Sequence, residues 1–186
     1  LRWLTLTVKG RMAHAGRAHL GIDANHVLAE IVSKVKTTIS SLPFEDEILG
    51  RARFTCGTFQ GGVATNVVPG SATAEFDLRI VPPLVPEDAV RIVERVADAV
   101  MLEHPGASYE IDLLGARRPP VGASDEAKII KDLTSAYIEH TGDAPLVGGA
   151  DGHEAYTDAS MIAALTGSVS CTVLGPGATD QAHTAD

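Results

Sequence analysis

Residues 2–9 alternate apolar and polar side chains with a period of two, the pattern of a strand with one buried face. The Gly-, Ala-, His- and Arg-rich stretch 10–21 interrupts that rhythm. From residue 24 the period changes to that of a helix, with Val27, Leu28, Ile31, Val32, Val35 and Ile39 on one stripe as far as about Ser41 and Asp23 placed to cap its start. Pro43 and the acidic Glu45-Asp46-Glu47 end it. Two strand-like runs follow, 51–58 and 72–81, joined by a glycine-bearing loop over 60–70. Pro82-Pro83 closes the second run, and Pro86-Glu87-Asp88 opens a second helix whose apolar face is Ala89, Ile92, Val93, Val96, Ala97 and Val100. After Pro105-Gly106, residues 108–114 alternate again as a strand. The order is βαββαβ, which predicts a ferredoxin-like α+β unit: an antiparallel sheet with two helices on one face.

Residues 115–122, Gly-Ala-Arg-Arg-Pro-Pro-Val-Gly, read as a linker, and beyond them the periodicity starts afresh. Ser124-Asp125-Glu126 reads as the start of a helix carrying Ile129, Ile130, Leu133, Tyr137 and Ile138. A second helical pattern covers about 158–165, and a short apolar strand is expected over 169–174. Two helices and one strand are too little for an independent core, so the expectation is a ferredoxin-like domain over 1–115 and an incomplete piece of an α/β domain over 116–186. The chain opens on a strand without an initiator Met and stops at Thr184-Ala185-Asp186 in loop-like sequence, which reads as a piece of a longer protein.

Hydrophobic residues are 45% of the 186, enough to fill a core, and charged residues 21%. A formal net charge of −9 repels phosphate backbones, which argues against nucleic acid as a partner. No run approaches the roughly 20 apolar residues of a bilayer crossing, and residues 1–20 lack the pattern of a signal peptide. The chain therefore reads as soluble and cytoplasmic, with no membrane partner. Cys56 and Cys171 have neither CxxC spacing nor disulfide-framework density and read as small buried hydrophobes.

Chemistry-bearing residues occur as His14 in the first loop, the loop around Gly61-Gly62 and Asn66, Arg79 near a strand end, Asp151-Gly152-His153-Glu154, and the tail from Gly175 to His183. Singly, each is weak. His153 and Glu154 lack the i,i+4 histidine pair of a self-contained metal site, and His14, His19 and His26 lack an evident acidic second shell. A planar guanidinium such as Arg79 suits a carboxylate-bearing, amino-acid-like substrate.

In order along the chain, four motifs run from Gly10-Arg11-Met12-Ala13-His14-Ala15-Gly16 through Gly61-Gly62-Val63-Ala64-Thr65-Asn66-Val67-Val68-Pro69 with Asp77-Leu78-Arg79, then Thr157-Asp158-Ala159, to Gly175-Pro176-Gly177 with Gln181-Ala182-His183. Together they resemble the acetylornithine deacetylase, succinyl-diaminopimelate desuccinylase and carboxypeptidase G family of two-zinc metallopeptidases, the tail being most like the deacetylase branch. The resemblance implies that residues 1–115 are a lid that also makes the homodimer and that 116–186 are the C-terminal part of the zinc-binding catalytic domain. The upstream segment that carries most zinc ligands and the glutamate base would lie outside this sequence, leaving the fragment inactive by itself.

Carried over residue by residue, His14 resembles the lid histidine that polarises the scissile carbonyl, and Asn66 and Arg79 resemble substrate-binding residues, Arg79 gripping the carboxylate. Thr157 and Gly175 would line the substrate pocket. His183 resembles a ligand of the second zinc, with cobalt as an alternative metal. The implied substrate is a small N-acyl amino acid or a short peptide. Ala18 stands where the family has proline, which costs loop rigidity, and residues 148–156 depart from the expected glycine turn, a difference that either lets His153 or Glu154 touch substrate or, the reading we favour, is surface decoration. Two alternatives stay open: a peptidase, dipeptidase or carboxypeptidase G-like hydrolase, and a non-catalytic dimerisation or ligand-binding module.

Overall fold

The computed structural model describes residues 1–47, 49–120, 127–145, 157–167 and 171–175. They fall into two compact units, one made of Leu1–Phe44 with Ala52–Arg117 and the other of Glu45–Arg51 with Arg118–Asp186.

In the first unit β1 (Arg2–Lys9) leads into the two-residue β2 (Ala13–His14), a 3-10 turn over Ala15–Leu20 and α1 (Ala24–Ser40). The second unit takes the short hairpin of β3 (Glu45–Asp46) and β4 (Gly50–Arg51), joined across its strands by the Arg51–Glu45 ion pair at 2.7 Å. The chain then forms β5 (Arg53–Gly61), β6 (Val67–Val68), β7 (Ser71–Arg79), α2 (Pro86–Glu103) and β8 (Ser108–Leu114). The four long strands form one antiparallel sheet in the order β5-β7-β1-β8. With the two helices this is the βαββαβ arrangement that the pattern predicts.

Burial follows that pattern closely. Leu4, Leu6 and Val8 of β1 and Ala72, Ala74, Phe76 and Leu78 of β7 point to one face of the sheet, where Val27, Leu28, Ile31, Val35 and Ile39 of α1 and Ala89, Val93, Ala97 and Val100 of α2 cover them. Each large apolar side chain withdrawn from water contributes about 1.5–3 kcal/mol, so this layer outweighs any surface ion pair. Asp23 caps α1, its carboxylate accepting from the Asn25 and His26 amides at 2.9 and 3.2 Å, an arrangement worth about 1 kcal/mol. The start of α2 is held differently. The Asp88 carboxylate reaches back to accept from the Val85 N–H at 2.8 Å, and that bond, together with Arg91, holds its carboxyl below the usual aspartate range.

Three expectations are corrected. The loop predicted over 60–70 is shorter, because β5 continues to Gly61 through a register shift between Cys56 and Thr58 and pairs Gln60 with Thr73 and Gly61 with Ala72. A bulge lets a strand absorb one extra residue and keep its ladder, which period-two counting cannot see. The cysteines are half-buried instead of fully buried, Cys56 lying at the margin of the core on the edge strand, where burial raises its thiol pKa. Of the strand expected over 169–174, residues 171–174 are not in a strand, an apolar run without a paired neighbour having no ladder bonds to hold it extended. Residues 169 and 170 lie outside the described residues.

In the second unit α3 (Lys128–Thr141) ends at Gly142 and α4 (Ala159–Thr166) ends at Gly167, both glycines in the left-handed region with φ of 83° and 70°. The expected helix start at Ser124-Asp125-Glu126 lies outside the described residues. Ile129, Ile130, Leu133 and Tyr137 of α3 are half-buried, and Ile138 is exposed. No described helix is long and apolar enough to cross a membrane.

Candidate active-site loops

At one end of the sheet, where β1 and β5 finish and β7 begins, the first loop and the β5–β7 loop are bound to each other. Ala13 pairs with Val68 and His14 with Val67, and the Ala15 amide donates to the Asn66 carbonyl at 2.9 Å. Ala24, the first residue of α1, donates its amide to Pro69 at 2.9 Å, so the helix cap, the histidine loop and the asparagine loop share one backbone network. Sequence distance hides this, since His14 and Asn66 are far apart in the chain. The structure brings them together through their backbones and leaves both side chains exposed.

His14 stands before the 3-10 turn, with its Nδ1 accepting from the Gly16 amide at 3.1 Å. An accepting Nδ1 puts the proton of the neutral ring on Nε2. The other ring nitrogen of this exposed histidine is therefore a hydrogen-bond donor, as the stabilisation of a developing oxyanion requires.

The base of the loop tolerates no side chain at Gly10. A Cβ there would lie 2.2 Å from the Ile22 carbonyl oxygen, which is itself bonded to the Arg11 amide at 2.9 Å. Gly10→Ala is therefore expected to cost about 1–3 kcal/mol and to speed amide exchange at Arg11 and Ala15. An unchanged urea midpoint with unchanged exchange would show that the loop base is not the constraint.

Two open clefts flank the β5–β7 loop, of about 520 and 560 Å³, sharing Gly61, Gly62, Val63 and Pro69. Asn25 lines the second, and its buried side-chain oxygen finds no hydrogen-bond partner among the described residues. Sequence reasoning missed Asn25. In the sequence its one mark is its position two residues after the capping Asp23; only the fold sets it beside Gly61, on which a Cβ would fall 1.9 Å from that oxygen.

Arg79 is elsewhere. It ends β7, eight residues beyond Ser71 and so roughly 26 Å away along a strand rising about 3.3 Å per residue. There it is ion-paired with Asp77 at 3.1 Å. Within one copy of the chain Arg79 does not join His14 and Asn66. Thr157, half-buried, and Gly175, exposed, belong to the second unit, and His183, His153 and Glu154 lie outside the described residues.

The sequence profile of the peptidase dimerisation domain of the M20 type matches residues 1–105, the whole span from β1 through α2. The chain belongs to the M20 peptidase dimerisation-domain family. Among curated relatives of this M20 chain, a probable succinyl-diaminopimelate desuccinylase from Staphylococcus epidermidis is 24% identical over 97% of the chain and 49% of its own length. A probable carboxypeptidase from Talaromyces marneffei is 28% identical over 71% of the chain and 30% of its own length. The M20 chain thus spans half or less of the length of these relatives. In fold it is similar to an amidase of the hydantoinase/carbamoylase family from Burkholderia multivorans, with a TM-score of 0.63 and 20% identity over 87% of this chain and 37% of that one.

Proposed function

We propose that this M20 chain supplies the lid and the C-terminal catalytic segment of a metal-dependent amide-bond hydrolase, acting on an N-acyl amino acid in the manner of acetylornithine deacetylase. The observation that carries the reading is the joint presentation of His14, with Nε2 as a donor, and Asn66 on one backbone-bonded pair of loops. In this role His14 donates to the carbonyl oxygen as it gains charge, and Asn66 hydrogen-bonds the bound substrate. Thr157 and Gly175 line the pocket of the catalytic segment.

Around His14 the described residues gather no group of metal ligands. Zinc would be held by His183 together with residues of the rest of the protein, and no chemical step is assigned to it from this chain. The separation of Arg79 from His14 supports a homodimer through the lid, since one lid cannot offer both residues to a ligand the size of an amino acid. Phe59 and Val63, exposed at the end of edge strand β5 and in the loop that follows it, are apolar surface suited to such pairing.

A panel of N-acetyl and N-succinyl amino acids and dipeptides, offered to the full-length protein and to the 186-residue chain, tests the proposal. The expected result is turnover of an N-acyl amino acid by the full-length protein alone. Preference for a dipeptide or for a carboxypeptidase G-type substrate would reassign it within the family. Zinc-dependent turnover by the isolated chain would refute the placement of the base outside it.

A further inference from the structure

His26 and Glu30 are one turn apart on α1, and His104 follows the last turn of α2. The fold brings them together away from the His14 loop. Glu30 Oε2 lies 2.8 Å from His104 Nε2, the two imidazoles meet edge to face with centroids 5.9 Å apart, and one donor atom from each of the three residues lies within 4.8 Å of the others. The geometry points to a binding site for a borderline divalent cation, Zn²⁺, Co²⁺ or Ni²⁺, held by His26, Glu30 and His104 and bracing α1 against α2.

The donor set argues for this class of ion. Two imidazoles with one carboxylate suit zinc and its neighbours, whereas calcium and magnesium take nearly all-oxygen shells. Bonds of about 2.1 Å place tetrahedral ligand atoms about 3.4 Å apart, so the 2.8 Å contact would open by about 0.6 Å and the separations of up to 4.8 Å would close as the exposed His26 ring turns. On binding, the cation takes the place of the proton between His104 Nε2 and Glu30 Oε2, and the neutral imidazole carries its proton on Nδ1 instead. Glu30 can give up this oxygen because its other one, Oε1, remains paired with Lys34 at 2.6 Å. Lys34 in turn keeps a second partner in Glu103 at 3.0 Å, so its charge stays balanced. The exposed side of the cluster leaves the remaining coordination positions to water.

Such a brace would act on the part of α1 that anchors the loops, since Ala24 bonds Pro69 and Asp23 caps the same turn. It is independent of any zinc held through His183, and the test keeps the two apart. In the 186-residue chain carrying His183→Ala, Co²⁺ titration followed by absorption and Zn²⁺ competition should show one equivalent bound. Adding His26→Ala or His104→Ala should weaken that binding at least about tenfold, the lower end of what losing even a supporting ligand partner costs. Zn²⁺ should raise the thermal midpoint of the His183→Ala chain more than that of the doubly substituted chains. Far-UV circular dichroism without metal serves as the folding control, and His26, being exposed, can be replaced without touching the core. Equal affinity in all three proteins, or no Co²⁺ spectrum in the His183→Ala chain up to about 1 mM metal, would overturn the assignment.

Discussion

Replacing His14 by alanine in the full-length protein is expected to lower kcat about 10²–10³-fold, the range measured for loss of one oxyanion donor, while bound metal and thermal midpoint stay nearly unchanged. The separation of these readouts follows from where the residue sits. His14 is exposed, and its ring makes one local hydrogen bond, to the Gly16 amide, so little folding energy depends on it. Its donor Nε2 can act only on something brought to the loop. A substitution that removed a uniform binding contact would raise KM with kcat intact, whereas a donor serving the transition state lowers kcat. Measuring kcat, KM and metal content on the same preparation decides the matter. An unchanged kcat would leave the histidine loop as a structural or dimer-forming feature and favour the non-catalytic reading of the lid.

The largest effect on stability is expected from Phe76→Ala, a loss of about 3–5 kcal/mol in the unfolding free energy of the chain. Phe76 is 2% exposed, the bulkiest of the fully enclosed side chains among the described residues, on a central strand between Cys56 of β5 and Leu4 of β1 in the register. Its ring meets that of Phe54 nearly at right angles with centroids 4.9 Å apart, which adds about 0.5–1.5 kcal/mol beyond buried area. Phe54 is only half-buried on the edge strand, so Phe54→Ala should cost clearly less. Urea unfolding of both variants checks the order. Equal losses would mean that the edge strand carries as much of the core as the centre of the sheet.

Much of the lid was legible from the chain because its signals are local. An alternating strand, a helix stripe and a capping aspartate each involve neighbours in sequence, and β1, α1, α2 and β8 appear where the periodicity placed them. The bulge in β5 was not legible, since it depends on the strand alongside. The histidine and asparagine motifs could be picked out one by one, but their joining through the Ala15–Asn66 and His14–Val67 pairings depends on the closing of a sheet.

The same division separates the two clusters of histidines. Grouping His14, His19 and His26 by nearness along the chain found no acidic partner. The carboxylate within 4.8 Å of His26 is that of Glu30, one turn along its own helix, and the second imidazole of the cluster comes from His104 at the far end of α2. Only packing two helices on one sheet brings His104 there, because a side chain's neighbours across an interface are set by crossing geometry and not by chain order. Arg79 shows the converse. Its sequence motif groups it with Asn66, yet an extended strand carries it to the other end of the sheet, since each residue of β-structure moves the chain about 3.3 Å onward. Local periodicity and motif order by themselves determined the βαββαβ class, the helix faces and the family. Which donors meet, and which are held apart, was decided by tertiary structure, where long-range pairing and burial override distance along the chain.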